Sequence, residues 1–192
     1  GAIFITQIPV IAKDVLGGSE GVVTLFLACF SLGVGAGSMA ANRWLKGVIS
    51  ARLAGPSILL LAVICVLLFA FLESQGEAGD ATVTIGLFLQ DPLHWAVLLL
   101  MVTLALAVGV VMVPFYAILQ HTADPSARSR VIASNNIINS VFIAGSSVIA
   151  AGLIGFAGLS ASEVVLVAGL VNLIVVPSAL KVHQRMKAVH PQ

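Results

Sequence analysis

Charge is scarce in this sequence. Of its 192 residues only 9% are Asp, Glu, Lys or Arg, against about 25% in a soluble domain. With 59% hydrophobic residues, the chain cannot cover a water-facing surface. This excludes a soluble domain carrying one anchor and leaves a polytopic membrane protein. Cysteine is nearly missing as well. Cys29 and Cys65 both sit inside apolar runs; they offer no disulfide or metal-ligand pattern and read as small buried hydrophobes. No metal or cofactor is expected.

Other absences narrow the class further. The opening stretch GAIFITQIPVIA has no basic n-region and no cleavage site before the next apolar run, so it is not a signal peptide. There is no initiator Met, and the run from Ala2 to Ala12 is shorter than the ~20 residues a span requires. The chain is therefore expected to be a piece of a longer protein, entering late in a helix. No charge lies mid-span, although proton pumps and proton-coupled carriers usually place Asp, Glu or His there. His94, His121, His183 and His190 all fall at run ends or in connectors. No nucleophile, base and acid come together as an intramembrane hydrolase would need. Catalysis by this chain is not expected, nor is a nucleic-acid partner.

What remains is long apolar sequence. After the short run at 1–12 come five full ones, at 21–42, 54–73, 93–120, 130–157 and 161–182. Each is long enough for a transmembrane helix, so the fold class is an all-α membrane bundle. Asp91 followed by Pro92 reads as an N-cap with proline at the first helical position, and His94 and Trp95 fall at interfacial depth. Ser160 to Glu163 fits a capping box. Residues 122–126, TADPS, read as a turn with Pro125 opening the next helix. Residues 73–80, ESQGEAGD, form a polar connector.

The few charges fix an orientation. The second and fourth connectors and the tail hold Arg43, Lys46, Arg52, Arg128, Arg130, Lys181, Arg185 and Lys187; the first, third and fifth connectors hold only Lys13 among the basic residues. The positive-inside rule places the former set, with the C-terminus, in the cytoplasm. Glu73, Glu77, Asp80, Asp91 and Glu163 fall on the other side.

Several motifs carry polar or special residues. Gly33 and Gly37 form a small-xxx-small face suited to close helix packing, and in a transporter such a face can be the surface that rocks. Pro114 removes a backbone donor and is expected to kink its helix. Two turns of the same run hold Tyr116 and Gln120; Tyr116 reads either as an aromatic-belt residue or as a cavity lining. Asn135 and Asn139, four apart, share a helix face, which Phe142 and Ser146 extend. Asn136 and Ser140 make an adjacent stripe. An unpaired amide in hydrocarbon costs several kcal/mol, so these groups need partners. Interhelical hydrogen bonds, worth about 0.6 kcal/mol each on average, are the ordinary answer; a polar pathway is the other. Thr6 and Gln7 are similar candidates, whereas Asn172 with Pro177 reads as structural.

The stretch VPFYAILQHTADPSARSRVIASNNIINSVF, 113–142, strongly resembles the lysophospholipid transporter family of the major facilitator superfamily. Pro114, Tyr116, Ala117, Gln120, Arg128, Arg130, Ile132, Ala133, Asn135, Asn136, Ile137 and Asn139 match that family's pattern. Earlier, GSMAANRWLKG at 37–47 is similar to a degenerate copy of the superfamily's loop signature, Gly-x-x-x-Asp-Arg-x-Gly-Arg-Arg. Asn42 stands in place of the Asp, Arg43 in place of the basic residue, and Gly47 fits the family's loop; the missing carboxylate removes one member of a charge relay. The likeness covers most of the chain, but only 113–142 is specific.

The resemblance implies the C-terminal six-helix half of a major facilitator fold, with its first helix truncated. It implies transport of lysophospholipid, chiefly lysophosphatidylethanolamine, across the bacterial inner membrane for re-acylation, by alternating access between two halves. Membrane lipid, the missing N-terminal six-helix half and a fused or associated acyltransferase would be the partners. Gln7 and Tyr116 would line the central cavity, with Asn135, Asn139 and Ser146 as further substrate contacts. Asn42, Arg43, Lys46, Gln120, Arg128 and Arg130 would serve the cytoplasmic gate. Helices 21–42 and 130–157, with the face of Gly33 and Gly37, would border the other half. Two alternatives stand beside this: a major facilitator exporter of another small molecule, and a non-transporting membrane scaffold for a fused acyltransferase.

Overall fold

The computed structural model describes residues 2–46, 50–75 and 82–189. Gly47, Glu77, Asp80 and His190 lie outside the described residues, as do the side chains of His183, Arg185 and Lys187. In chain order the elements are α1 (Ala2–Val10), a π-helical turn (Ile11–Val15), α2 (Glu20–Leu45), α3 (Ala54–Ser74), α4 (Ile85–Phe88), α5 (Pro92–Thr122), α6 (Arg128–Gly155), α7 (Ala161–Asn172), a 3-10 turn (Leu173–Val175) and α8 (Val176–Val189). Five stretches among them are long and apolar enough to cross a membrane: α2, α3, α5, α6 and Ala161–Val182.

Local chemistry explains most boundaries. The Asp91 carboxylate accepts from the Leu93 N–H at 2.8 Å, with Pro92 at the first helical position. Ser160 and Glu163 make a complete capping box, each side chain bonding the other's backbone N–H. α2 stops because Lys46 turns left-handed (φ 51°), bringing its N–H to the carbonyls of Asn42 and Arg43. Asp124 folds the turn before α6 by accepting from the Ser126 N–H (2.8 Å) and hydroxyl (2.6 Å). These bonds hold its carboxyl below the usual carboxylate range. The helix itself begins at Arg128, three residues beyond the proline expected to open it.

Prolines mark two departures from simple spans. The last run, expected as one helix over 161–182, breaks into α7, a 3-10 turn and α8. Pro177 has no N–H to offer Leu173, so that carbonyl accepts from Val176 instead, which tightens the turn. The opening helix contains Pro9 and continues past Ala12 as a π turn in which the Leu16 N–H reaches the Ile11 carbonyl at 3.1 Å. α5 runs unbroken through Pro114.

The odd-numbered connectors meet at one end of the bundle. Residues 17–19 pair in parallel with Val83: the Val83 N–H donates to Gly17 O (2.8 Å) and the Ser19 N–H to Val83 O (2.9 Å). The Ser162 hydroxyl, before α7's second turn, donates to Glu73 at the end of α3 (2.6 Å). The third connector is also more than a polar loop. Its short α4 drives Phe88 into the interior, edge-on to Phe26 (centroids 5.6 Å apart) and stacked on His94 (4.0 Å).

α5 lies between α2 and α3, and α3 between α5 and α7; α1 packs on α2, α6 and α7. The main core, including Phe4, Ile8, Phe26, Leu68, Leu72, Phe88, Val97, Met101 and Val165, fills the end where the odd connectors meet. A smaller cluster around Ala51, Ala54, Ile58 and Ala179 closes the opposite end. Within the span α6 contributes only Ala150 as a fully buried residue.

The glycine face of α2 is used inside this chain. A Cβ on Gly33 would lie 2.6 Å from Ala105 Cβ, and one on Gly37 2.2 Å from the Leu106 carbonyl oxygen. Gly109 answers from α5, where a Cβ would meet Val34 O at 2.3 Å. The expectation that Gly33 and Gly37 border another half is corrected here: α5 already covers that face. Gly35, on the other side of α2, has open space.

Candidate functional site

Where α5 and α6 diverge, they leave a groove. The first cavity, of about 360 Å³, is lined by Val111, Met112, Phe115, Tyr116 and Leu119 from α5 and by Asn135 and Asn139 from α6. The second, of about 460 Å³, is lined by Leu119, Arg130, Val131, Ser134, Asn135 and Ile138. Leu119 and Asn135 belong to both walls, so the two adjoin. α5 supplies an apolar wall because residues 111–112, 115–116 and 119 recur at helical spacing. α6 supplies amides at positions four apart and a guanidinium one turn earlier.

One hydrogen bond crosses the groove: Asn139 Nδ2 donates to the Tyr116 hydroxyl oxygen at 2.9 Å. Both side chains are half-buried. The bond uses one acceptor site of the phenol and one N–H of the amide, leaving capacity on each. Among the described residues the Tyr116 O–H has no acceptor, and neither Asn139 Oδ1 nor the Asn135 amide has a partner. The groove's own polar groups are thus partly unspent, in a wall that is otherwise hydrocarbon.

The expected site residues separate into those the structure brings together and those it does not. Tyr116, Asn135, Asn139 and Arg130 share the groove. Gln7 does not reach it. α1 packs under α2, α6 and α7, leaving Gln7 3% exposed with its Oε1 unpartnered; a cavity-lining role for Gln7 is corrected to a buried position. Ser146 lies two turns beyond Asn139, where its hydroxyl donates to its own helix at Ile143 O (2.9 Å). It forms no part of either cavity wall. Phe142, expected on the same stripe, is 70% exposed. Ser140 caps back to Asn136 O at 3.0 Å, and Asn136 is exposed.

At the basic end, Gln120 and Arg128 are exposed and outside both cavity walls. Asn42, Arg43 and Lys46 are exposed at the end of α2, where Asn42 and Arg43 act through backbone carbonyls in the Lys46 cap. Arg52, counted in the sequence only as a connector charge, has a structural role: its Nη2 donates to the Trp44 carbonyl. Asn172 bonds its own helix at Ala168 O, 2.7 Å away. The apolar walls at Met112, Phe115 and Leu119 were also missed; projecting the helix from Tyr116 would have found them.

Cys29 and Cys65 are free thiols. Among the described residues no three His, Cys, Asp or Glu side chains are grouped to hold a metal ion. The groove walls contain no carboxylate. Its chemistry is that of amides, one phenol, one hydroxyl and one guanidinium beside aliphatic surface, suited to binding and orienting an amphiphile. Comparison with models of protein families, with curated proteins and with solved structures finds no match for the chain.

Proposed function

We propose that this chain is the C-terminal half of a two-half carrier of the major facilitator type, and that it moves lysophospholipid, chiefly lysophosphatidylethanolamine, across the bacterial inner membrane by alternating access. The observation that carries this is the amphiphilic groove between α5 and α6. Its aliphatic wall suits an acyl chain, its amides suit a neutral glycerol region, and Arg130 at its basic end suits a phosphate through planar, bidentate hydrogen bonding. The absence of a carboxylate in its walls fits a zwitterionic headgroup better than a cationic drug. The same segment, 113–142, carries the resemblance.

In this scheme α6, almost bare on its outer face, lies against the missing half or the lipid path, where water and headgroups supply partners to Asn135 and Asn136. The groove's Arg130 end is cytoplasmic by the distribution of basic residues. Nothing in the proposal calls for chemistry in this chain; re-acylation would belong to a fused or associated acyltransferase.

Two measurements test it. In spheroplasts lacking their own lysophospholipid carrier, the full-length protein should restore uptake of labelled lysophosphatidylethanolamine, while this chain alone should not. Lack of uptake by the full-length protein would sink the proposal, leaving a carrier of another small molecule or a membrane scaffold. In a background without Cys29 and Cys65, single cysteines at Ser74 and Ala127 should react oppositely with an impermeant maleimide, Ser74 from outside only. Equal reaction from outside at both positions would overturn the orientation.

A further inference from the structure

The polar groups of the groove are arranged for something more specific than a headgroup. Tyr116 accepts from Asn139, and among the described residues its O–H, the Asn139 carbonyl oxygen and the amide of Asn135, one turn away on the same wall, have no partner. A donor and acceptors therefore sit side by side, half out of water, among Val111, Met112 and Phe115. A ligand group that satisfies them must accept and donate at one point. An ester or ether oxygen only accepts, an ammonium only donates, and a phosphate finds no cation here, because Arg130 belongs to the adjoining cavity. An aliphatic hydroxyl does both.

We infer that Tyr116, Asn139 and Asn135 determine specificity by reading the free glycerol hydroxyl of a single-chain lipid. This rests on the proposed carrier function and sharpens it. The hydroxyl accepts from the Tyr116 O–H and donates to an asparagine carbonyl oxygen. The crossing Asn139–Tyr116 bond stays in place and holds the phenol at the right point of the wall. A diacyl lipid carries an ester where the hydroxyl would be. It would leave an asparagine acceptor unpaired and push a second chain against the amides. Sites built to hydrogen-bond a ligand hydroxyl reject the analogue lacking it far more strongly than apolar pockets reject a missing methylene. The position of Asn135, five residues after Arg130 and thus about 7.5 Å of helix rise away, puts the phosphate-binding mouth and the hydroxyl-reading point on one path.

The test changes the lipid before it changes the protein. Full-length protein in liposomes is given lysophosphatidylethanolamine and its 2-deoxy analogue, which keeps the acyl chain, phosphate and ammonium and lacks only the hydroxyl. Flux of the hydroxyl-bearing lipid should exceed that of the deoxy analogue by at least about tenfold. Tyr116→Phe, which keeps the ring and removes the O–H, should collapse that ratio toward one by slowing the lysolipid, and Asn139→Leu should do the same. Equal flux of the two lipids through the wild-type protein would overturn the hydroxyl reading while leaving the carrier function standing. A Tyr116→Phe protein that transports and keeps the wild-type ratio would also overturn it. Absence of flux for both lipids in the wild-type protein would remove the carrier function and this inference together.

Discussion

α5 presents two faces, and they are built to opposite rules. Toward α2 its backbone comes so close that Gly33, Gly37 and Gly109 have no room for a Cβ. Toward α6 it stands away, leaving two adjoining cavities crossed by one side-chain hydrogen bond. In a bilayer, lipid tails compete equally with apolar side chains, so helices associate through close backbone packing and interhelical hydrogen bonds. The first face uses the former and cannot slide without clash. The second depends on the latter: one half-buried bond, Asn139 to Tyr116, spans a gap wide enough to admit a ligand beside it. The proposed carrier function would draw on both, a fixed seam and an adjustable one.

The contrast can be broken most severely at the glycines. Gly37→Val places side-chain carbons where the Leu106 backbone lies; overpacking of this kind costs about 1–3 kcal/mol. The variant should lose detergent thermal stability and yield, whereas Gly35→Val, facing open space, should not. Equal stability of the two variants would mean the seam is not tight.

The groove should respond in the reverse manner. Asn139→Leu keeps similar bulk and removes the amide. Because the Asn139–Tyr116 bond is half-exposed, its loss should lower stability by about 1 kcal/mol or less, while lysophospholipid flux falls severalfold. Lost stability with normal flux per folded molecule would make the asparagines packing residues and the site assignment wrong.

A finer contrast separates the two arginines. Arg130 lines the groove and Arg128 does not, so Arg130→Lys should reduce flux severalfold and Arg128→Lys should leave it within about twofold, since Lys preserves charge but not the bidentate fork. Insertion should be unaffected in both. Matching effects would reduce the pair to positive-inside anchoring.

The smallest expected effect is at the turn that feeds α6. The Asp124 carboxyl is lowered by its bonds to Ser126, so its contribution to stability is present above the unfolded-state pKa, near 3.9 for Asp, and fades as pH falls through the lower folded value. The stability difference between wild type and Asp124→Asn should therefore be seen at neutral pH and shrink below about pH 4. A difference that persists undiminished in acid would assign the turn to backbone geometry alone.

What could be read from the sequence follows the range of each interaction. The capping box at Ser160 and the Asp91–Pro92 start are local, so residue type and spacing sufficed. The spans could be read because composition alone drives burial in lipid. The groove was half-legible: Tyr116 and Asn139 each looked unusual, but the bond between residues 23 positions apart depends on how the 122–127 turn aims α6. Gln7 was misplaced because polarity in a span says nothing of which neighbours close over it. Gly109 was overlooked although Ala105 and Gly109 repeat the small-xxx-small spacing of Gly33 and Gly37. The break at 173–175 was implicit in Pro177 and needed only the question of which carbonyl loses its donor.

The pairing of residues 17–19 with Val83 has a meaning for biogenesis. Its two sides are separated in the chain by α2 and α3, both long and apolar enough to cross a membrane, and two such crossings in opposite directions return the chain to the side it left. Gly18 is needed at that point, since a Cβ would lie 2.6 Å from Ala12 O. A nascent chain with either helix inverted would place Val83 on the wrong side of the bilayer, and the ladder could not close. The small bridge thus closes the α2–α3 hairpin at its connector end, and it can form only when residues 17–19 and Val83 reach the same side.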